Sequence, residues 1–321
     1  MKHSLKITFV ILAMFIITQF IGLYVVNYYS PTQVINGEVV NVSSPSLPFG
    51  MQTPEIQQES DFYTTLLPSI LISFVIAIFL LFILTKFKAE LFLKLWFFSV
   101  IILALGIVFY TFIPSFKYAS LFAAIIALPL AFEKVYQRNL IVHNLTELLI
   151  YPGIAAVFVP LFNLYTMIVI LILISIYDMW AVWHSGIMQK MAKYQIDTLK
   201  IFSGFFVPYM SKAVRNKVKK MRLEAKENPE AMESLKDKKI KVNVAILGGG
   251  DVIFPIITAG VIMKLYGLVP ALFVVLGATL GIGYLLFFAE KKKFYPAMPF
   301  ITTGIFIGMI LSWILTLAGL I

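Results

Sequence analysis

The chain contains no cysteine. Disulfide frameworks, thiolate nucleophiles, thiol redox chemistry and Cys-based zinc or iron–sulfur sites are therefore excluded together. Charge is scarce as well. Only 13% of the 321 residues are Asp, Glu, Lys or Arg, about half of the roughly 25% that keeps a compact soluble domain solvated. Histidine is sparse: His3, His143 and His184 stand singly, and no His-Glu-x-x-His spacing exists to hold zinc. No metal and no cofactor is expected. What the chain has in abundance is apolar surface, 60% of its residues, with a mean hydropathy of +0.92. The expected fold class is an all-α polytopic membrane protein.

A membrane span needs about 20 apolar residues at a rise of about 1.5 Å each. Nine segments qualify, at 7–27, 64–85, 91–113, 118–132, 146–162, 164–185, 243–263, 267–289 and 297–320. The fourth is short, and the fifth and sixth are divided only by Pro160 and Asn163. The first follows Lys2 and Lys6, but its apolar run is long and no small-x-small cleavage site comes after it, so it reads as a signal anchor.

Charge supports the count of nine. With the N-terminus cytoplasmic, 24 of the 26 Lys and Arg fall inside and only Lys117 and Lys264 fall outside. The loop 28–63 carries Glu38, Glu55, Glu59 and Asp61 without one basic residue. Removing a span would reverse every later loop and break the positive-inside pattern. The expected division is a six-span half at 1–186, a cytoplasmic basic loop at 187–242 and a three-span half at 243–321, with the C-terminus outside. Within the loop, residues 211–241 hold 11 basic against 5 acidic side chains. A loop lying against anionic lipid accounts for this without nucleic acid, which is not expected as a partner. The apolar stretch Ile201 to Met210, with Gly204 and Pro208, is expected to dip into the interface or to plug it. The sequon Asn41-Val42-Ser43 faces outward, whereas Asn144-Leu145-Thr146 faces inward and should stay unmodified.

Acidic residues deep in a bilayer cost roughly 3 kcal/mol each on insertion scales, so each needs a reason. Glu133, Glu147 and Glu290 sit at span ends and are excused as interfacial. Asp178 in the sixth span and Asp251 in the seventh are not. Each lies about eight residues from the inner boundary on consecutive antiparallel spans, about 12 Å deep at the helical rise. Two carboxylates held close share one proton and titrate as a unit, which equips them to activate water. Gly248, Gly249 and Gly250 precede Asp251 directly, and without Cβ atoms they allow a close approach to it. Tyr177 reads as a packing residue whose phenol is available near the pair. A proton- or cation-coupled transporter, or a channel, could also use two buried aspartates beside a broken helix, but no inverted repeat is visible. A non-catalytic scaffold is the third class.

Tyr177-Asp178, Gly248-x-Gly250-Asp251 and a Pro-Ala-Leu-like element opening the ninth span resemble the GxGD intramembrane aspartyl proteases, the presenilin and signal peptide peptidase group. The short loops are most similar to those of the archaeal members. The resemblance covers the nine-span plan and is closest over about 174–300. It implies cleavage of transmembrane segments or signal-peptide remnants in the lipid bilayer, with Asp178 and Asp251 as catalytic residues. It further implies that Gly248 and Gly250 shape the site, that Pro296-Ala297-Met298 borders it, and that the protein sits in an archaeal plasma membrane. Met298 stands where the family has Leu. Pro270-Ala271-Leu272 matches the family motif letter for letter, yet topology puts it near the outer boundary, so substitutions at Pro270 and Ala271 are expected to be mild. A homo-oligomer is compatible with the sequence. A helical substrate must unwind before its carbonyls can be attacked, and pairing of the extended strand with enzyme backbone, near the 187–242 loop and Pro296, would offset that.

Overall fold

A computed structural model gives the fold and describes residues 5–35, 38–51, 67–87, 89–113, 116–137, 139–185, 201, 203–209, 243–290 and 295–320. Nine helices run through the described residues: α1 (Leu5–Tyr29), α2 (Leu67–Lys86), α3 (Glu90–Tyr110), α4 (Ala119–Phe132), α5 (Leu140–Phe158), α6 (Leu164–Trp180), α7 (Gly249–Tyr266), α8 (Leu268–Phe288) and α9 (Met298–Leu317). Two antiparallel hairpins accompany them, β1 (Thr32–Ile35) with β2 (Glu38–Asn41), and β3 (Gly204–Tyr209) with β4 (Asn243–Gly248). Eight of the helices, counting α4 together with the π-helical turn that continues it to Gln137, are long and apolar enough to cross a membrane. Helix α2 coincides with the second expected segment.

Local chemistry explains the divisions that hydropathy left faint. The Asn163 side chain accepts from the Thr166 N–H at 2.8 Å and so starts α6, after Pro160 has turned the chain through a short 3-10 segment. Asn139 starts α5 in the same way by accepting from Ile141. The short fourth segment gains length because α4 runs on as a π-helical turn over Glu133–Gln137. Between α7 and α8 stands Gly267 at φ +92°, a conformation that side chains disfavour, and it lets the two helices meet almost without a loop.

Inside and outside are both apolar, as lipid requires. Large side chains such as Phe9, Trp96, Leu121 and Trp313 face outward. Small ones meet at the helix contacts. Ala119, Ala123, Ala127 and Ala131 form a buried stripe along α4. Backbones touch between α8 and α9: a Cβ at Gly277 would fall on the Gly304 carbonyl oxygen, and one at Gly304 on that of Gly277. Gly281 meets the Phe300 carbonyl and Gly308 that of Phe273, so two Gly-x-x-x-Gly pairs face each other along an antiparallel seam. The main core draws on α1 and on α5 to α9 together, and therefore runs across the point at which the sequence suggests two halves.

The structure departs from the sequence reading at three places. Residues 243–248 are a strand, not the start of a helix, and α7 begins only at Gly249. The reason lies in the alternation of Val244 and Ile246 with smaller or straight-chain residues, followed by three glycines that oppose helix nucleation. The stretch expected to dip or plug is instead β3, the partner of that strand. Glu147 is not interfacial. Helix α5 starts six residues before the expected boundary, which leaves Glu147 1% exposed and ion-paired with Lys134 from the π-helical turn. Most of the basic loop (186–200, 202 and 210–242), Lys291 to Lys293 and His3 lie outside the described residues.

Candidate active site

Asp178 lies in the last turn of α6, 6% exposed, and Asp251 lies in the first turn of α7, partly buried. The two carboxyl groups are close enough to interact electrostatically. Backbone donors surround them. The Met298 N–H donates to Oδ2 of Asp178 at 3.0 Å, the Ala297 N–H donates to the same carboxyl, and the Gly248 N–H donates to Asp251. Pro296 enforces this arrangement. It is buried, lacks a donor of its own, and stands just before the N-cap Ala297, where the first N–H groups of α9, which like those of any helix have no internal acceptor, turn to Asp178. Behind them Ser175 donates to Thr302 at 2.8 Å and ties α6 to α9 one turn deeper.

The glycine triplet divides its work. A Cβ on Gly248 would stand 3.2 Å from Oδ2 of Asp251. Gly249 is buried under Tyr151 and Ser203, whose atoms a Cβ would strike, and its N–H donates to the Ser203 carbonyl at 3.3 Å. Gly250 is exposed, and a Cβ there would meet only the Phe254 ring edge at 4.0 Å, an ordinary contact. Tyr177 is 44% exposed, and its ring lies against Trp180. The structure thus gathers Asp178, Asp251, Gly248, Gly249, Ala297 and Met298 and leaves Tyr177 on the outer side of α6. Pro270 is remote. It lines an outer cleft beside Trp313, and the 15 residues from Met298 to Trp313 place it about 22 Å along α9 from the Asp178 donors.

The hairpin leads straight into the site. In its register Phe205 faces Leu247, Phe206 faces Ile246 and Val207 faces Ala245. The N–H and C=O of Phe206 both turn toward Asn144 on α5, so residues 204, 206 and 208 point away from β4 and 205, 207 and 209 bond to it. By the same alternation, the backbone groups of Val244, Ile246 and Gly248 turn to the opposite edge. Val244 and Ile246 are each 44% exposed, and this edge ends at Asp251. Sequence reasoning missed Tyr151, Ser203 and Asn144. The signal was present as four polar residues, His143, Asn144, Glu147 and Tyr151, at near-helical spacing in an otherwise apolar segment.

Residues 38–318 match the family described as signal-peptide peptidase, presenilin aspartyl protease. The chain belongs to that family. Two crystal forms of a presenilin family intramembrane aspartate protease share its fold. In the C222 form the TM-score is 0.58 at 17% identity, over 96% of this chain and 99% of that one. In the P2 form it is 0.57 at 18% identity, over 95% and 96%. No curated protein matches at the sequence level. As a member of the presenilin and signal-peptide peptidase family, the chain is an intramembrane aspartyl protease, which sets aside the transporter and scaffold readings.

Proposed function

We propose that Asp178 and Asp251 are the catalytic residues of a GxGD-type intramembrane endopeptidase that cuts transmembrane segments or signal-peptide remnants. Two carboxyl groups from separate spans that lie within electrostatic reach of each other, one of them held by the backbone of a third span, carry this reading. The ionised member of the pair takes a proton from water as the water oxygen bonds to the scissile carbonyl carbon. The protonated member gives its proton to the carbonyl oxygen. Collapse of the resulting diol breaks the C–N bond, a proton passes to the leaving amine, and the pair again shares one proton. Gly248 and Gly249 keep the space beside Asp251 free of side chains, and Pro296, Ala297 and Met298 hold Asp178 in place.

The substrate enters as an extended strand. Its carbonyls must first be released from helical hydrogen bonds, and the outward edge of β4 offers replacement partners at Val244 and Ile246. We place the N-terminus and the 187–242 loop in the cytoplasm and the C-terminus outside, from the partition of 24 basic residues against 2. The direct test is cleavage of a transmembrane peptide reconstituted in lipid vesicles with the purified chain. Cleavage abolished by Asp178→Asn and by Asp251→Asn supports the assignment, and turnover retained in either variant overturns it.

A further inference from the structure

The hairpin that carries β4 is held from behind by one face of α5. Asn144 Nδ2 donates to the Phe206 carbonyl at 2.7 Å, and its Oδ1 accepts from the Phe206 N–H at 2.9 Å. Only one orientation of the amide satisfies both bonds, and together they are the pair a neighbouring strand residue would make. One residue earlier, His143 Nε2 lies 2.8 Å from the Gly204 carbonyl while Nδ1 lies 3.3 Å from the Lys134 ammonium. Lys134 can only donate, so Nδ1 accepts and Nε2 carries the hydrogen that Gly204 receives. The His143 ring also packs on Phe206 at a centroid distance of 5.0 Å. Two turns further along α5, Tyr151 reaches Ser203 at 3.4 Å, and Ser203 accepts from Gly249 in turn.

These contacts fall on alternate residues of β3, at 204 and 206, and on Ser203 just before it. Alternation matters because a strand that slips by one residue exchanges its faces and its hydrogen-bonding edges. Burial of Phe205, Ala245 and Leu247 already opposes such a slip, and bonds along the other edge of β3 add a second, polar restraint on its register and plane. Here the second edge is filled by a rigid helix whose position is independent of the substrate.

We infer that Asn144 is a positioning residue for proteolysis: it locks the register and plane of β3, and through the ladder it sets the β4 edge on which substrate is laid against Asp251. Asn144 touches neither carboxyl group, so it governs which peptide bond is presented and leaves the chemistry to the aspartates. The inference rests on the proteolytic reading above.

The test compares the wild-type chain with Asn144→Ala and Asn144→Asp, the second of which keeps the acceptor for the Phe206 N–H. Cleavage products of one vesicle-reconstituted transmembrane peptide are identified by mass spectrometry, and amide hydrogen exchange is followed over 204–209 and 243–248. For Asn144→Ala we expect at least a threefold redistribution toward neighbouring bonds, and a rise in KM of about tenfold, the effect of losing two hydrogen bonds, with a smaller change in kcat. Asn144→Asp should lie between it and the wild type, and exchange should rise in both strands. Unchanged product termini with unchanged exchange overturn the inference. So does loss of the folded protein in both variants, which would make Asn144 a purely structural residue. Absence of Asp-dependent cleavage in the wild type would instead refute the proteolytic reading, and the exchange data would still decide whether Asn144 fixes the hairpin.

Discussion

The backbone N–H of Met298 meets Oδ2 of Asp178 at 3.0 Å, across 120 residues of sequence. A carboxyl group from the sixth helix of the chain is thus held by the opening turn of the ninth, within Pro296-Ala297-Met298. A backbone donor makes the bond, so the identity of the side chain at 298 does not enter it. Pro296→Ala, which frees the entry of α9, should lower kcat/KM at least tenfold with the fold retained. Pro270→Ala, about 22 Å away along α9, should change it less than twofold. Ala271→Trp is no companion control. Ala271 is fully buried, and an indole there should destabilise the protein outright, contrary to the mild effect expected from topology alone. Peptide cleavage and thermal unfolding in detergent separate the two outcomes.

If the two aspartates act as one unit, their losses do not add. The Asp178→Asn/Asp251→Asn double variant should be no less active than either single variant, all three remaining at background. A further fall in the double variant would show that each carboxyl contributes separately.

A shared proton also fixes the sign of the pH response. Activity should decline on the acid side, where both carboxyls are protonated and none can accept from water, and on the alkaline side, where both are ionised and none can donate. The profile of kcat/KM in vesicles should be a bell. A monotonic profile with chemistry as the slow step would exclude the shared proton.

The seam between α8 and α9 has no room for a methyl group. Gly277→Val or Gly304→Val should cost about 1–3 kcal/mol or more through overpacking and should lower proteolysis as well, because a displaced α9 takes Met298 away from Asp178. Gly250→Ala, whose Cβ would make only an ordinary 4.0 Å contact with Phe254, should unfold close to the wild-type temperature.

Lys134 and Glu147 form a buried pair, 3% and 1% exposed at their side chains. Lys134→Met leaves a carboxylate stranded in the core and should destabilise by about 3–5 kcal/mol. Replacing both partners, Lys134→Met with Glu147→Leu, should recover most of that loss. Denaturant titration of the single and double variants measures the difference.

Much of this was legible in the sequence. Spans are written in hydropathy, and their number in the sidedness of Lys and Arg, because insertion acts on those two properties. Asp178 and Asp251 were visible because a carboxylate is conspicuous in an apolar run. The strand at 243–248 was not, since hydropathy treats Val244, Ile246 and Leu247 alike in a helix or a strand, and its partner stands 39 residues upstream at 204–209. Asn144 read only as a sequon, for its role depends on a strand that local sequence does not announce. Glu147 read as interfacial because hydropathy starts the fifth span at 146, whereas the helix begins at Leu140.

The order of synthesis gives the α8–α9 seam another meaning. Asp178 emerges with α6 and Asp251 with α7, yet the N–H groups that hold Asp178 arrive only with α9, already clasped to α8. While the earlier helices are threading into the bilayer, both carboxyls are present but one lacks its cradle. With Asp178 and Asp251 as the proposed catalytic pair, a chain stalled at that stage has its aspartates and no assembled site, and is expected not to cut its neighbours in the membrane.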